Sequence, residues 1–176
     1  MPSATALAAP RAASLLLAPE RAHDARLVEG LIDRAFGPGR FAKTADRLRE
    51  GRLPDLALSV VAWSGGRAVG CVRQWRILIG AVPAVFLGPI AVEEERRCEG
   101  LGASLIRRAI EAARDTGYGH ILLVGDTLLF EPFGFTAAAA RKVVMPGPVD
   151  QRRVLALALQ PGAIDELRGQ VRAIDA

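Results

Sequence analysis

The stretch Leu87–Ser104, LGPIAVEEERRCEGLGAS, constrains the chain more than any other. Leu87–Val92 is short, apolar and β-prone, and reads as a buried strand. Three glutamates and two arginines follow, and Arg97-Cys98-Glu99-Gly100-Leu101-Gly102 leads into a helical pattern. Leu105, Ile106, Ala109, Ile110 and Ala113 recur at helical spacing, with Arg107, Arg108, Glu111 and Arg114 on the other face. A strand therefore runs into a glycine-bearing turn, and the turn opens a helix. Backbone N–H groups in a first helical turn lack partners and carry partial positive charge, so this order suits a phosphate. Glycines let an anion approach the backbone, and Arg96 or Arg97 can add charge-assisted bonds, Arg97 being favoured by its spacing to Gly100. The same residues also suit an ordinary strand-to-helix turn.

The surrounding sequence favours the phosphate reading. Arg97-x-x-Gly100-x-Gly102, between an apolar strand and an amphipathic helix, resembles the acyl-CoA pyrophosphate loop of the GNAT superfamily of N-acetyltransferases. Downstream, His120–Asp126 (HILLVGD) reads as a strand, and Phe130–Phe135 (FEPFGF) is similar to the motif that closes that fold. LVGD and FGF, followed by MPGPVD and LALALQPGA, are similar to a bacterial branch of the superfamily, the YhbS-like acetyltransferases.

Length and composition agree with such a fold and exclude several others. The 176 residues suit one domain, 14–176, with residues 1–13 reading as a disordered tail. The formal charge of +4 rests almost wholly on scattered arginines, since Lys43 and Lys142 are the only lysines. Without a concentrated basic patch, nucleic-acid binding is not expected, and a modest positive balance suits an anionic cosubstrate. Cys71, Cys98, His23 and His120 lack metal-ligand spacing, so no metal is expected. No apolar run reaches the ~18 residues of a membrane helix, and the alanine-rich start lacks the basic cluster of a secretion signal. The expected compartment is the cytoplasm, and the expected state a monomer or homodimer.

In chain order, Ser14–Ala18 is a strand candidate and Ala22–Phe36 a helix, broken at Gly37-Pro38-Gly39. Phe41–Glu50 reads as a second helix stopped by Gly51. Leu56–Trp63 and Ala68–Ile79 flank a hairpin turn at Ser64-Gly65-Gly66-Arg67, and Gly80–Pro83 connects to Ala84–Val92. After the central helix come a strand at His120–Val124, a short helix or turn at Thr127–Pro132, and a strand entered at Phe135. A final strand spans Val154–Leu159, and Ile164–Val171 forms a terminal helical turn. Trp63 and Trp75 are read as strand-packing residues. The result is a mixed α/β fold: a mostly antiparallel sheet with one splayed parallel strand pair, flanked by helices.

The resemblance implies acetyl-CoA as cosubstrate and an amine of a small molecule or peptide as acceptor. It implies that Ile90, Ala91 and Val92 hold pantetheine and the thioester oxygen, and that Arg97, Cys98, Glu99, Gly100, Leu101, Gly102 and Ala103 cradle the pyrophosphate, with Ser104 near by. Asp126 falls where the family has an Asn or Asp near pantetheine. Phe130 departs from the pattern: it stands at the position usually held by the tyrosine that protonates the CoA thiolate, and it has no hydroxyl. No general base stands out. Glu93, Glu94 and Glu95 follow the strand and equally suit a solvated turn; His23 and His120 suit structural roles. The missing hydroxyl leaves two readings: an acyl-CoA-dependent N-acyltransferase that is slow or uses another proton donor, and a non-catalytic acyl-CoA-binding module on the same fold. A dinucleotide-binding oxidoreductase is a poor third, because three strands precede the loop.

Overall fold

The computed structural model describes residues 14–37, 44–160 and 167–174. The tail at 1–13, the Gly37-Pro38-Gly39 break beyond Gly37, and the start of the Phe41–Glu50 helix lie outside them.

The sheet follows the near-continuous apolar runs of strands buried on both faces. Its strands are β1 (Leu15–Pro19), β2 (Val60–Ser64), β3 (Arg67–Ile79), β4 (Val82–Val92), β5 (His120–Val124), β6 (Val143–Val144), β7 (Val154–Ala158) and β8 (Gly169–Ala173), joined in the order β1-β2-β3-β4-β5-β7. Pairing is antiparallel along this path except between β4 and β5. Ser64 faces Arg67 across the Gly65-Gly66 turn, where both glycines have positive φ (56° and 78°), the geometry that matches strand twist in a two-residue hairpin.

Helices cover both faces. Helix α3 (Leu101–Asp115) lays Leu105, Ile106, Ala109 and Ala113 against Val72, Val85 and Ile121. Helix α1 (Ala25–Phe36) lays Val28, Leu31 and Ile32 against Val61, Cys71 and Ala91. Cys71 and Val72 are neighbours on β3, so the period of 2 sends them to opposite faces. Burial pushes the Cys71 thiol up to about 12, against the pull of the Arg73 charge, so it stays protonated as a packing group.

Four expectations need correction. The helix expected over Phe41–Glu50 is only α2 (Thr44–Arg47) among the described residues, followed by turns to Gly51. The helix expected from Ala22 begins with a 3-10 turn at Ala22–Asp24. No strand begins at Phe135; Thr136 makes a single bridge to Ala156 and the chain then turns. The terminal helical turn is not seen in its described part, because Gly169–Ala173 is strand β8. The reason is a vacant edge: β2 covers β3 only over Arg67–Val72, and β8 takes the same edge at Ile77–Ile79, while β6 pairs with its other side. Buried backbone polar groups require partners, and that demand outweighs a weak local helical pattern.

Candidate functional site

A cleft of about 1260 Å³ opens between the ends of β4 and β5. The two strands pair only at Val85–Ile121 and Phe86–Leu122. Just beyond, the β3–β4 register steps from Gln74–Leu87 to Val72–Ile90, so Gly88 and Pro89 together face the single residue Arg73. Such a bulge bends its strand and increases the local twist, which turns β4 away from β5 and leaves Leu87–Val92 open to the cleft on one edge. Arg73, opposite the bulge, is itself fixed: its Nε and Nη2 donate to Glu20 and its Nη1 donates to Glu29 at 2.7 Å. Burial works against this cation, but the two carboxylates outweigh it and raise its pKa above the ordinary arginine range.

One wall is the loop entering α3. Gly100, the N-cap, is left-handed (φ 77°) and brings no side-chain acceptor to the first turn. Cys98 also has positive φ, 68°. A Cβ added at Gly100 or Gly102 would meet nothing within 4 Å. Leu101, Gly102 and Ala103 line the cleft, so first-turn N–H groups border open space that an anion can enter. The two loop arginines separate clearly. Arg96 is engaged, its Nε donating to Glu99 at 2.7 Å and its Nη1 to Ser64 at 3.2 Å, whereas Arg97 lines the cleft. If Arg97 binds phosphate, Arg97→Ala should weaken acetyl-CoA binding by ~1.5–3 kcal/mol, the range for a hydrogen bond to a charged group, in a titration at low salt. Wild-type affinity in that variant would show the side chain to be merely solvated.

The facing wall starts at Gly125. Asp126 caps helix α4 (Thr127–Phe130), its Oδ1 accepting from the Leu128 N–H at 2.9 Å, so it lines the cleft already engaged in a structural bond. Phe130 is 7% exposed and meets Phe135 edge to face at 5.9 Å. Its ring lies over Gly125 so closely that a Cβ there would come within 2.4 Å of Cε2. Only glycine at 125 lets Phe130 seat between the end of β5 and Phe135.

Of the residues named from sequence, Ile90, Ala91, Val92, Arg97, Cys98, Gly100, Leu101, Gly102, Ala103, Asp126 and Phe130 are brought together in this cleft. Glu99 and Ser104 are not: Glu99 turns to Arg96, and Ser104 Oγ donates back to the Gly100 carbonyl at 3.3 Å. The base candidates are not among the residues lining the cleft. Glu93 is held by Arg34 at 2.6 Å, and Glu94 and Glu95 are exposed on the turn before Arg97. His23 sits beside Asp24 at 3.3 Å, and His120 and Tyr118 line a separate, smaller hollow with Val82 and Gln160. The remaining wall is made by Thr44, Arg47 and Arg49, within the segment expected as the second helix, beside Pro148–Asp150 and Arg153, none of which the sequence singled out. Thr44 Oγ1 donates to the Pro148 carbonyl and Arg47 Nη1 to that of Pro146, joining segments a hundred residues apart. No local pattern signals such a contact. Gly125, by contrast, was visible as the glycine between a strand and an Asp.

The family model for the acetyltransferase (GNAT) family matches residues 25–135. The chain belongs to the GNAT family. This GNAT chain is 30% identical over 118 residues, 66% of its length and 70% of the relative's, to YhbS of Escherichia coli K12, described as an uncharacterized N-acetyltransferase. It is also 30% identical to the Escherichia coli protein YjhQ, likewise described, over 86% of this chain and 88% of that one. Among solved structures it is similar to Escherichia coli YhbS in complex with CoA, with TM-score 0.79 and 25% identity over 96% of this chain and 93% of that one. A Brucella melitensis GNAT acetyltransferase in complex with acetyl-CoA aligns with TM-score 0.68 and 26% identity over 93% and 97% of the two chains. The GNAT fold thus accounts for the splayed parallel pair. Among the described residues, no helix is long and apolar enough to cross a membrane.

Proposed function

We propose that this GNAT protein transfers an acetyl group from acetyl-CoA to an amine of a small molecule or peptide. The observation that carries the reading is the cleft itself, where an open β4 edge meets an uncapped helix N-terminus with two unobstructed glycines. Two of the similar structures hold CoA or acetyl-CoA, which supports the same donor here. In this reading Leu101–Ala103 and Arg97 hold the pyrophosphate, and the open edge at Ile90–Val92 takes pantetheine and polarises the thioester oxygen. The amine nitrogen attacks the carbonyl carbon, the C–S bond breaks, and the nitrogen loses a proton to water. The thiolate takes a proton from water, because Phe130 offers none. Membership of the GNAT family favours transfer over binding alone.

Phe130→Tyr tests the proton step. The added hydroxyl restores a donor at the cleft wall, where general-acid help is worth ~100- to 10,000-fold. Thiol release with a competent amine should rise across a pH series while acetyl-CoA affinity stays within about twofold. Brisk turnover by the native protein, slowed by tyrosine, would show that protonation comes from elsewhere.

A further inference from the structure

We propose that Asp126 is a catalytic residue, whose Oδ2 takes the proton released by the acceptor nitrogen at the splay between β4 and β5. The inference rests on the transfer reading above and supplies a proton acceptor that the glutamates before the α3 loop do not. The described residues lining the cleft include two carboxylates, Asp126 and Asp150. Asp150 is taken on both oxygens by Arg152: Oδ1 accepts from its N–H at 3.1 Å and its Nε at 3.0 Å, and Oδ2 from its Nη2 at 2.9 Å. Those bonds hold the Asp150 carboxyl below the ordinary carboxylate range, which makes it a poorer proton acceptor. The Cys98 thiol also lines the cleft, but on the loop assigned to phosphate. Asp126 differs from both. Only its Oδ1 is engaged, accepting from the Leu128 N–H at 2.9 Å, and its side chain makes no other hydrogen bond or ion pair among the described residues. Arg153 approaches the same stretch, but its Nε donates to the Gly125 carbonyl at 3.4 Å. One oxygen therefore fixes the carboxylate on the wall and the other is left to the cleft.

Register places Asp126 beside the reacting bond. Phe86 faces Leu122 in the parallel pair, and four residues further the two segments reach Ile90 and Asp126. The backbone at Asp126 is still extended (φ −84°, ψ 125°), so the count along that segment holds. The bulge uses one extra residue of β4, which sets Asp126 level with Ile90–Ala91, the edge assigned to the thioester. The proton balance then closes. The acceptor attacks as the free amine, its ammonium having given one proton to water. As its lone pair forms the bond to the carbonyl carbon the nitrogen becomes cationic, and its N–H becomes far more acidic than that of the parent amine. A carboxylate is base enough for such a proton. Asp126 Oδ2 takes it, the C–S bond breaks, and the thiolate leaves with the bonding pair to be protonated by water. Asp126 is exposed, so its proton passes on to water and the carboxylate is restored.

Asp126→Asn and Asp126→Ser test the proposal, because Asn and Ser are good N-caps and keep an acceptor for the Leu128 N–H. Thiol release from acetyl-CoA is measured with ethylamine, tyramine, glycinamide and spermidine, and acetyl-CoA binding is followed by melting temperature. With the best of these amines, Asp126→Asn should lower kcat by about 100-fold or more, the weight of general-base catalysis, while the acetyl-CoA melting shift is retained. Serine is smaller and leaves room for a free carboxylate. Sodium formate should therefore speed Asp126→Ser severalfold over sodium chloride at equal ionic strength, and leave Asp126→Asn unmoved. A purely structural role would not respond to formate. Native-like turnover by Asp126→Asn, or a serine variant indifferent to formate, overturns the proposal. So does an Asp126→Asn protein that loses the acetyl-CoA shift at unchanged kcat, which would assign the side chain to pantetheine. A native protein that shows the shift but releases no thiol with any of the four amines removes the transfer reading, and this proposal with it. Absence of the shift itself removes the donor reading.

Discussion

Gly102→Val is expected to abolish the rise in melting temperature that acetyl-CoA produces in the native protein while leaving the fold intact. A ligand that binds only the folded state adds about 2.7 kcal/mol at a hundred times its Kd, which for a domain of this size corresponds to a shift of roughly 5–10 °C. Gly102 is the better of the two loop glycines for this test. It lies within α3, and an added Cβ there meets nothing within 4 Å, so the valine costs little beyond ordinary helix propensity. Gly100 also faces open space, but its φ of 77° makes any larger residue strained, and a lost shift there would mix strain with blockage. The valine methyls at 102 occupy space in which the N–H groups of the first turn would meet phosphate. A full acetyl-CoA shift in Gly102→Val would sink the assignment of this loop.

Arg73→Ala should destabilise the protein by about 3–5 kcal/mol, the range for stripping one partner from a buried ion pair. The Glu20 side chain is 0% exposed and its carboxylate accepts three contacts from the Arg73 guanidinium. Removing the guanidinium leaves that charge in the interior, and it also removes the Arg73 links from β3 to Glu29 and to the Ala25 carbonyl at the start of α1. Chemical denaturation measures the loss, and Arg73→Met with Glu20→Gln should recover part of it, because the uncompensated charge is gone. Since Arg73 is the residue faced by the Gly88-Pro89 bulge, acetyl-CoA binding should weaken as well. A loss below about 1 kcal/mol would mean that water reaches Glu20 and that the bulge does not depend on this anchor.

The side of the cleft formed by β4 and the α3 loop was legible in the sequence because its signals are local. A strand, a glycine-bearing turn and a helix N-terminus are consecutive, so Ile90–Val92 and Arg97–Ala103 are brought together by the short loop that joins them. His120–Val124 and the Phe130 position are legible for the same reason: an apolar run, a glycine and a ring occur at fixed spacing. What only the tertiary structure decided depends on pairing between distant segments. Which loop arginine is available turned on Ser64 and Glu99 capturing Arg96. The engagement of Glu93 turned on Arg34, fifty-nine residues earlier, and strand β8 exists because β2 leaves part of the β3 edge uncovered. The arginine-lined end of the cleft joins Thr44–Arg49 to Pro146–Arg153 through hydrogen bonds across a hundred residues. Sequence periodicity reports which face of an element is buried; which charged partners meet across the fold is set by sheet order and register, and no local pattern encodes them.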